Sequence, residues 1–212
     1  MRAMKIICAI IIIAAVAAGG FYLGFRTGST RDAGVESEEP SWKDLYAGVL
    51  RTYIDPEFPD SSFAKFNLYD LDGDGTPELI VSEGEFHMCE AEIFTVYRGV
   101  VYCLGSFGSW GDFGYAPETG YIYSGMTGQG VTYTTIHQIV DGRARELVSF
   151  YDTTGYYADP EDGSYEVDGE EVSQEEYNRA WEKYGGNTDD DFTARKYDVN
   201  EDEITRVLNL PY

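Results

Sequence analysis

Apolar side chains recur at steps of three and four residues in "SWKDLYAGVLRTYI" (residues 41–54), and this spacing predicts a helix with one apolar face. Two more helices are predicted near the end of the chain. In "SQEEYNRAWEKYG", Ser173 and Glu176 match a capping box and a glycine ends the pattern. In "NEDEITRVLN", Asn200 and Glu203 have the same cap spacing.

Apolar and polar residues alternate over much of residues 63–151, which is the pattern of half-buried β-strands. Hairpin turns are predicted at three dipeptides: Arg98-Gly99, Asp141-Gly142 and Asp168-Gly169. The order of a helix, a block of strands and further helices predicts an α+β fold. We expect an antiparallel β-rich domain with flanking helices, packed at one side of a sheet.

The amino terminus has a different pattern. Arg2 and Lys5 precede an uncharged run over residues 6–25, which is the length that a helix needs to cross a bilayer. This predicts a signal anchor, a transmembrane helix over residues 1–26. The alternative is a signal peptide cleaved after a small-residue site such as Ala15-Val16-Ala17. Residues 27–40 are small, polar and acidic and predict a flexible linker, so residues 41–212 form the extracellular domain.

Composition and charge limit the classes of partner that the chain can bind. The chain has 18 Tyr, 11 Phe and 3 Trp, enough for a sizeable core, and its net charge is −23. Such a surface repels phosphate backbones, so nucleic acid is excluded as a partner. It attracts divalent cations.

The stretch "YDLDGDGTPELIV" (residues 69–81) carries candidate metal chemistry. Asp70, Asp72 and Asp74 alternate, and Glu78 stands at the ninth position of the loop that Asp70 opens. Alternating carboxylates on a curved loop face one centre, which suits calcium (Ca²⁺) because calcium takes six to eight oxygen ligands in irregular geometry. Position twelve is Val81, so the helix-loop-helix EF-hand does not fit. The alternative is a solvated Asp-Gly turn without an ion.

The same residues resemble the EF-hand-like calcium loops of the FG-GAP and VCBS type, whose pattern is DxDxDGxxD/E. The resemblance covers only the loop and the strand after it, in a single copy, and so implies a β-hairpin but no propeller. It implies one set of ligands: the side chains of Asp70, Asp72, Asp74 and Glu78 and the carbonyl of Thr76. More broadly, the chain is similar to secreted or membrane-anchored bacterial surface proteins that carry one such loop.

The two cysteines of the predicted extracellular domain have two interpretations. Cys89 and Cys103 lie outside the apolar segment, and either form a disulfide or remain two buried thiols. The hairpin register places Cys103 opposite Phe94, so a disulfide requires the chain to fold back near Glu90.

Glu83, Glu85, His87 and Cys89 alternate, which indicates either a transition-metal or acid–base cluster or the solvated face of a strand. His137 lies among strand residues and is interpreted as structural.

The glycine-rich stretch 105–125 concentrates aromatic residues that either bind a ligand or anchor loops in the core. The candidates for ligand binding are Trp110, Phe113 and Tyr115.

Together these patterns predict a membrane-anchored extracellular calcium-binding protein. It acts as a surface binding module for a protein or glycan ligand, its calcium site has a structural role, and it is secreted if the amino-terminal segment is cleaved. The alternative is a carboxylate-dependent hydrolase of cell-surface polymers, using Glu85 and an acid from residues 159–171. The module is favoured over an enzyme because no GxSxG, HExxH, CxxC or P-loop motif occurs.

Overall fold

The structure is a computed structural model, and it describes residues 40–54, 57, 63–84, 89–108, 112–156, 162–185, 188–189 and 192–211. The predicted anchor over residues 1–26 and almost all of the linker lie outside these residues. Within the described part of the chain, none of the helices has the length and apolar character needed to span a membrane.

Three α-helices form where the sequence predicts them: α1 (Trp42–Arg51), α2 (Gln174–Tyr184) and α3 (Glu201–Leu208). Ser173 and Glu176 make the reciprocal hydrogen bonds of a capping box at the start of α2. At α3 the Asn200 side chain accepts from the backbone of Glu203, but the Glu203 carboxylate pairs with Arg206 instead. The predicted pairing at α3 is therefore only half a capping box.

Eleven strands form two antiparallel sheets in the described residues. The first sheet has the order β11-β1-β2-β3-β4, and its strands are β1 (Lys65–Tyr69), β2 (Glu78–Ser82), β3 (Ala91–Tyr97), β4 (Val100–Phe107) and β11 (Tyr197–Asp198). The second has the order β10-β9-β8-β7-β6-β5, and its strands are β5 (Asp112–Ala116), β6 (Tyr121–Gly128), β7 (Val131–Val140), β8 (Arg143–Asp152), β9 (Tyr165–Val167) and β10 (Glu170–Val172). A short 3-10 helix, Thr154–Tyr156, follows β8.

The predicted hairpin turns are confirmed. Tyr97 pairs with Val100 and Phe94 with Cys103 around the first turn, and β7–β8 and β9–β10 close on the other two dipeptides. The antiparallel, β-rich α+β class is also confirmed. The expectation of one sheet with helices at one side is wrong, because the strands divide into two sheets and helices cover an outer face of each.

The order of layers follows from the packing of alternate side chains on opposite faces of each sheet. Leu79 and Val81 of β2 pack with α1 and α3, whereas Ile80 points the other way into the space between the sheets. Ile122 and Ile139 of the second sheet meet Ile80 there. Beyond the second sheet, a third cluster joins its outer face to the aromatic side chains of α2. The order of layers is helices, sheet, sheet, helix, and β2 is buried on both faces.

Candidate metal site

The acidic loop joins two neighbouring strands of the first sheet. β1 ends at Tyr69, β2 begins at Glu78, and these two residues face each other in the antiparallel register. Asp70 therefore leaves the sheet at the point where Glu78 enters it. This arrangement places the loop in a β-hairpin with a strand directly after it.

The loop is curved by its glycines and closed by its own carboxylates. Gly73 and Gly75 have φ of 76° and 86°, the left-handed region that glycine adopts without a steric penalty. The Asp70 carboxylate accepts from the backbone N–H of Gly73 at 2.9 Å and of Gly75 at 3.1 Å. In the same way Asp72 accepts from the N–H of Asp74, and Asp74 from the N–H of Thr76. These bonds hold the loop in shape without any ion.

Three carboxylates converge inside this loop. One oxygen each from Asp70, Asp72 and Glu78 lies within 4.8 Å of the others. Two oxygens on opposite sides of a calcium ion are about 5 Å apart, since each calcium–oxygen distance is about 2.3 to 2.6 Å. One ion can therefore contact all three carboxylates. Asp74 is not in this group, and the predicted roles of its side chain and of the Thr76 carbonyl stay predictions.

Glu78 is the buried member of the cluster, with only 1% of its surface exposed. Its carboxylate accepts from the N–H of Leu71 at 2.8 Å and from the hydroxyl of Thr95 at 3.0 Å. Burial, reinforced by the charges of Asp72 and Asp74, raises the pKa of Glu78 to about 8. Burial also raises the pKa of Asp72. An ionised carboxylate at this position needs a positive partner, and a bound cation supplies one.

The ends of the loop are anchored to both neighbouring layers. The Tyr46 hydroxyl on α1 donates to the carbonyl of Pro77 at 2.9 Å, and the Tyr115 hydroxyl on β5 donates to the carbonyl of Asp70 at 3.2 Å. Leu71 is fully buried between the two sheets. The tip, from Asp72 to Gly75, is exposed and open to an ion from solvent.

Comparison of the chain with protein-family models, with curated proteins and with solved structures finds no match. The geometry of the loop is thus the ground for assigning it a function.

The predicted ligand-binding aromatics have different environments. Trp110 lies outside the described residues. Phe113 is half-buried, and its ring packs edge to face on Phe192 with 5.0 Å between ring centres. Tyr115 is buried, with 4% exposed, and its ring packs on Tyr69 beside the acidic loop.

Glu85 and His87 also lie outside the described residues, so the predicted metal or acid–base cluster and the proposed hydrolytic pair are not placed. Cys89 is half-buried and Cys103 is exposed, and no disulfide forms in the described residues. The expectation that both thiols are buried is wrong. The reason is that β4 is an edge strand and its central residues face solvent.

His137 packs its ring edge to face on Phe107 at 5.2 Å. Its Nδ1 is buried and has no hydrogen-bond partner among the described residues. Burial lowers the pKa of this histidine and so favours the neutral ring. These contacts agree with a structural role for His137.

Sequence reasoning missed the residues that support the site from outside the loop. Thr95 of β3 donates its hydroxyl to Glu78, and Tyr115 of β5 donates its hydroxyl to the carbonyl of Asp70. No spacing rule within the loop indicates them, because their contribution depends on which strands lie beside β2. A threonine in a largely apolar strand is the one local signal, and it does not identify the partner.

Proposed function

We propose that the loop over residues 70–78 binds a calcium ion and that the ion completes the β1–β2 hairpin. The observation that carries the proposal is the convergence of Asp70, Asp72 and Glu78 within 4.8 Å on a loop already closed by its own hydrogen bonds. The described ligand atoms are oxygens throughout, which suits a hard cation and disfavours zinc or copper.

Calcium fits this loop better than magnesium. Magnesium requires nearly octahedral geometry at about 2.0–2.1 Å and keeps several waters, whereas calcium accepts irregular sets of carboxylate and carbonyl oxygens. The side chain of Asp74 and the carbonyl of Thr76 are the further oxygens that the proposal assigns to the ion. Solvent at the exposed tip supplies the remainder.

The ion has a structural role in this proposal. β2 is a central strand that pairs with both β1 and β3, so a hairpin held at Asp70 and Glu78 fixes the middle of the first sheet. Two side chains that contact the site, Thr95 and Tyr115, already donate their hydroxyls to Glu78 and to the carbonyl of Asp70. They are placed to support the loop rather than to attack a substrate.

The setting of the protein is part of the proposal. The apolar run over residues 6–25 anchors the chain in the cell membrane, and the acidic domain lies outside the cell, where it binds a protein or glycan ligand. If the run is cleaved as a signal peptide, the domain is secreted. Extracellular calcium-binding modules have dissociation constants of about 10⁻⁴ to 10⁻³ M, the range expected for such a partly exposed site.

Thermal melting of the full chain in detergent, with and without calcium, tests the proposal. A calcium concentration of 100 times the dissociation constant stabilises by about 2.7 kcal/mol. At about 2–4 °C per kcal/mol for a domain of this size, we expect melting to rise by about 5–10 °C in calcium. Magnesium at the same concentration raises melting less.

Two matched variants locate the effect. Asp72→Asn removes a charge from the cluster and should abolish the calcium shift. Asp141→Asn makes the same change at another exposed Asp-Gly turn and should keep it, because Asp141 lies in the β7–β8 turn. Equal calcium shifts in both variants, or no shift in the unaltered chain, would refute the assignment of the ion to this loop.

A further inference from the structure

We infer that a cavity beside Arg195 binds a small aromatic carboxylate. The cavity has a volume of about 190 Å³ and lies between the end of β4, the start of β5 and the segment 192–195. Phe107, Phe113 and Phe192 line it together with Cys89, Ala91 and Arg195.

Arg195 is a cation held in place by neutral oxygens. Its Nε donates to the Ser82 hydroxyl and to the Gly84 carbonyl, both at 3.1 Å, and its Nη2 donates to the Cys89 carbonyl at 2.7 Å. These bonds use two of the five N–H groups of the guanidinium. Nη1 has no hydrogen-bond partner among the described residues, so the side chain is fixed in orientation and still has donors to offer.

Arg195 also has no carboxylate partner among the described residues, although the chain has 38 acids and 15 bases. Other arginines, such as Arg51, Arg179 and Arg206, do pair with glutamates. None of the described residues that line the cavity is an Asp or a Glu. Within the described part of the chain, the half-buried charge of Arg195 therefore has no carboxylate partner and is available to an anion from outside.

Three of the described residues in the wall are aromatic, and they stand beside small and polar residues such as Ala91 and Thr193. The rings of Phe113 and Phe192 meet edge to face at 5.0 Å, and Phe107 stacks on Phe113 at 6.3 Å. Such walls favour a flat apolar group through burial and ring contacts. A cavity of about 150 Å³ already holds a benzene molecule, so the space here admits one ring with a short acidic substituent.

The aromatic rings of the cavity and the charge of Arg195 together determine which class of ligand fits. A ligand cation is repelled by Arg195, and a neutral ring leaves its N–H groups unsatisfied. A carboxylate accepts two parallel hydrogen bonds from a guanidinium in a planar geometry, which the fixed orientation of Arg195 favours. The ligand is thus an aromatic ring joined to a carboxylate by a short chain.

This inference rests on the proposed function only in treating the domain as a binding module, and it does not require the calcium ion. Its test is calorimetric titration of the full chain in detergent with 3-phenylpropionate and, in parallel, with 3-phenylpropionamide. The two probes have the same ring and chain length but differ in charge. We expect the acid to bind at least tenfold more tightly than the amide.

Variants assign the binding to the cavity. Arg195→Gln should remove the preference for the acid, whereas Arg179→Gln, which deletes an exposed arginine on α2, should leave it unchanged. Ala91→Leu should abolish binding of both probes because it fills the cavity without altering charge. If Arg195→Gln does not fold, the inference is still tested by comparing the binding of the two probes to the unaltered chain and to Ala91→Leu.

Three results overturn the inference: no binding of the acid, equal binding of acid and amide, or undiminished acid binding in Ala91→Leu. The titration is repeated with Asp72→Asn to separate the two proposals. Acid binding that persists in this variant supports the cavity whatever the outcome for calcium. A calcium effect without acid binding leaves the metal proposal intact and removes this one.

Discussion

The Glu78 carboxylate lies almost completely out of solvent at the end of a loop with three exposed or half-exposed aspartates. Without a cation, its neutral form is the stable one up to about pH 8, because burial and the charges of Asp72 and Asp74 oppose ionisation. The residue therefore couples the free energy of unfolding both to pH and to the metal.

We predict that the metal-free chain loses stability as pH rises. In the unfolded chain Glu78 has the ordinary glutamate pKa of 4.5, and in the folded chain its pKa is about 8. Between these values the folded state holds a proton that the unfolded state has released, so the free energy of unfolding falls as pH increases from about 4.5 to 8 and then levels off. Urea unfolding in EDTA at pH 6 and pH 9 measures the difference.

Glu78→Gln should remove most of this pH dependence because its side chain does not ionise, and it should also abolish stabilisation by calcium. Glu118→Gln is the matched control, since Glu118 is exposed in the β5–β6 turn. If Glu78→Gln shows the same loss of stability between pH 6 and pH 9 as the unaltered chain, then the ionisation of Glu78 is not the cause of the pH dependence.

At the scale of single residues, the sequence predicts the acidic loop but not the residues that surround it. The alternation of Asp70, Asp72 and Asp74 predicts converging carboxylates, because a curved chain brings alternate side chains to one side, and the resemblance to calcium loops adds Glu78. The described cluster contains Asp70, Asp72 and Glu78 but not Asp74. The burial of Glu78 and its bond to Thr95 depend on the pairing of β2 with β3 and on α1 above them. Such contacts come from distant segments and leave no mark in local spacing.

The hairpin turns show why some elements were predictable. Asp141-Gly142 and Asp168-Gly169 both have positive φ at both residues, as two-residue turns of the primed type require, and Asp-Gly is a strong signal for them. Gln129-Gly130 forms the same kind of turn, with φ of 53° and 79°, between β6 and β7. It was not predicted because glutamine is not a typical residue for this conformation.

Gly130 offers a sharp test of the second sheet. A Cβ at this position would lie 2.1 Å from the carbonyl oxygen of Gly155 in the 3-10 helix, and the positive φ adds strain. We predict that Gly130→Ala destabilises the fold by about 1–3 kcal/mol or more, through overpacking against backbone that cannot move aside. Urea unfolding monitored by circular dichroism measures the loss.

Gly128→Ala is the control in the same hairpin. A Cβ there meets no atom within 4 Å, so this variant should be neutral or slightly stabilising. Equal destabilisation by the two substitutions would show that the close approach of the turn to the 3-10 helix does not form.

At the scale of the whole molecule, the sequence predicts the class of fold and not its layering. Local patterns indicate strands and helices, but the division of strands between two sheets depends on contacts far apart in the chain. Lys65 of β1, for example, pairs with Asp198 of β11. β11 has two residues and β5 lies in a glycine-rich stretch, so neither has a distinct alternating pattern.

Residues 188–189 and 192–195 show how these distant contacts join the layers. The N–H of Asp189 donates to Tyr115 in the second sheet, and the Asn67 side chain in the first sheet donates to the carbonyl of Thr193. The Phe192 ring packs on Tyr69 of the first sheet and on Phe113 of the second sheet. Phe192 thus contacts both the tyrosines beside the metal loop and the residues that line the Arg195 cavity.

The most direct test of the central claim is calorimetric titration of calcium into the EDTA-stripped full chain. The proposed site predicts one ion per chain with a dissociation constant of about 10⁻⁴ to 10⁻³ M. It also predicts loss of that binding in Asp72→Asn and its retention in Asp141→Asn. The absence of saturable binding, or the same binding in Asp72→Asn as in the unaltered chain, would contradict a calcium site at Asp70, Asp72 and Glu78.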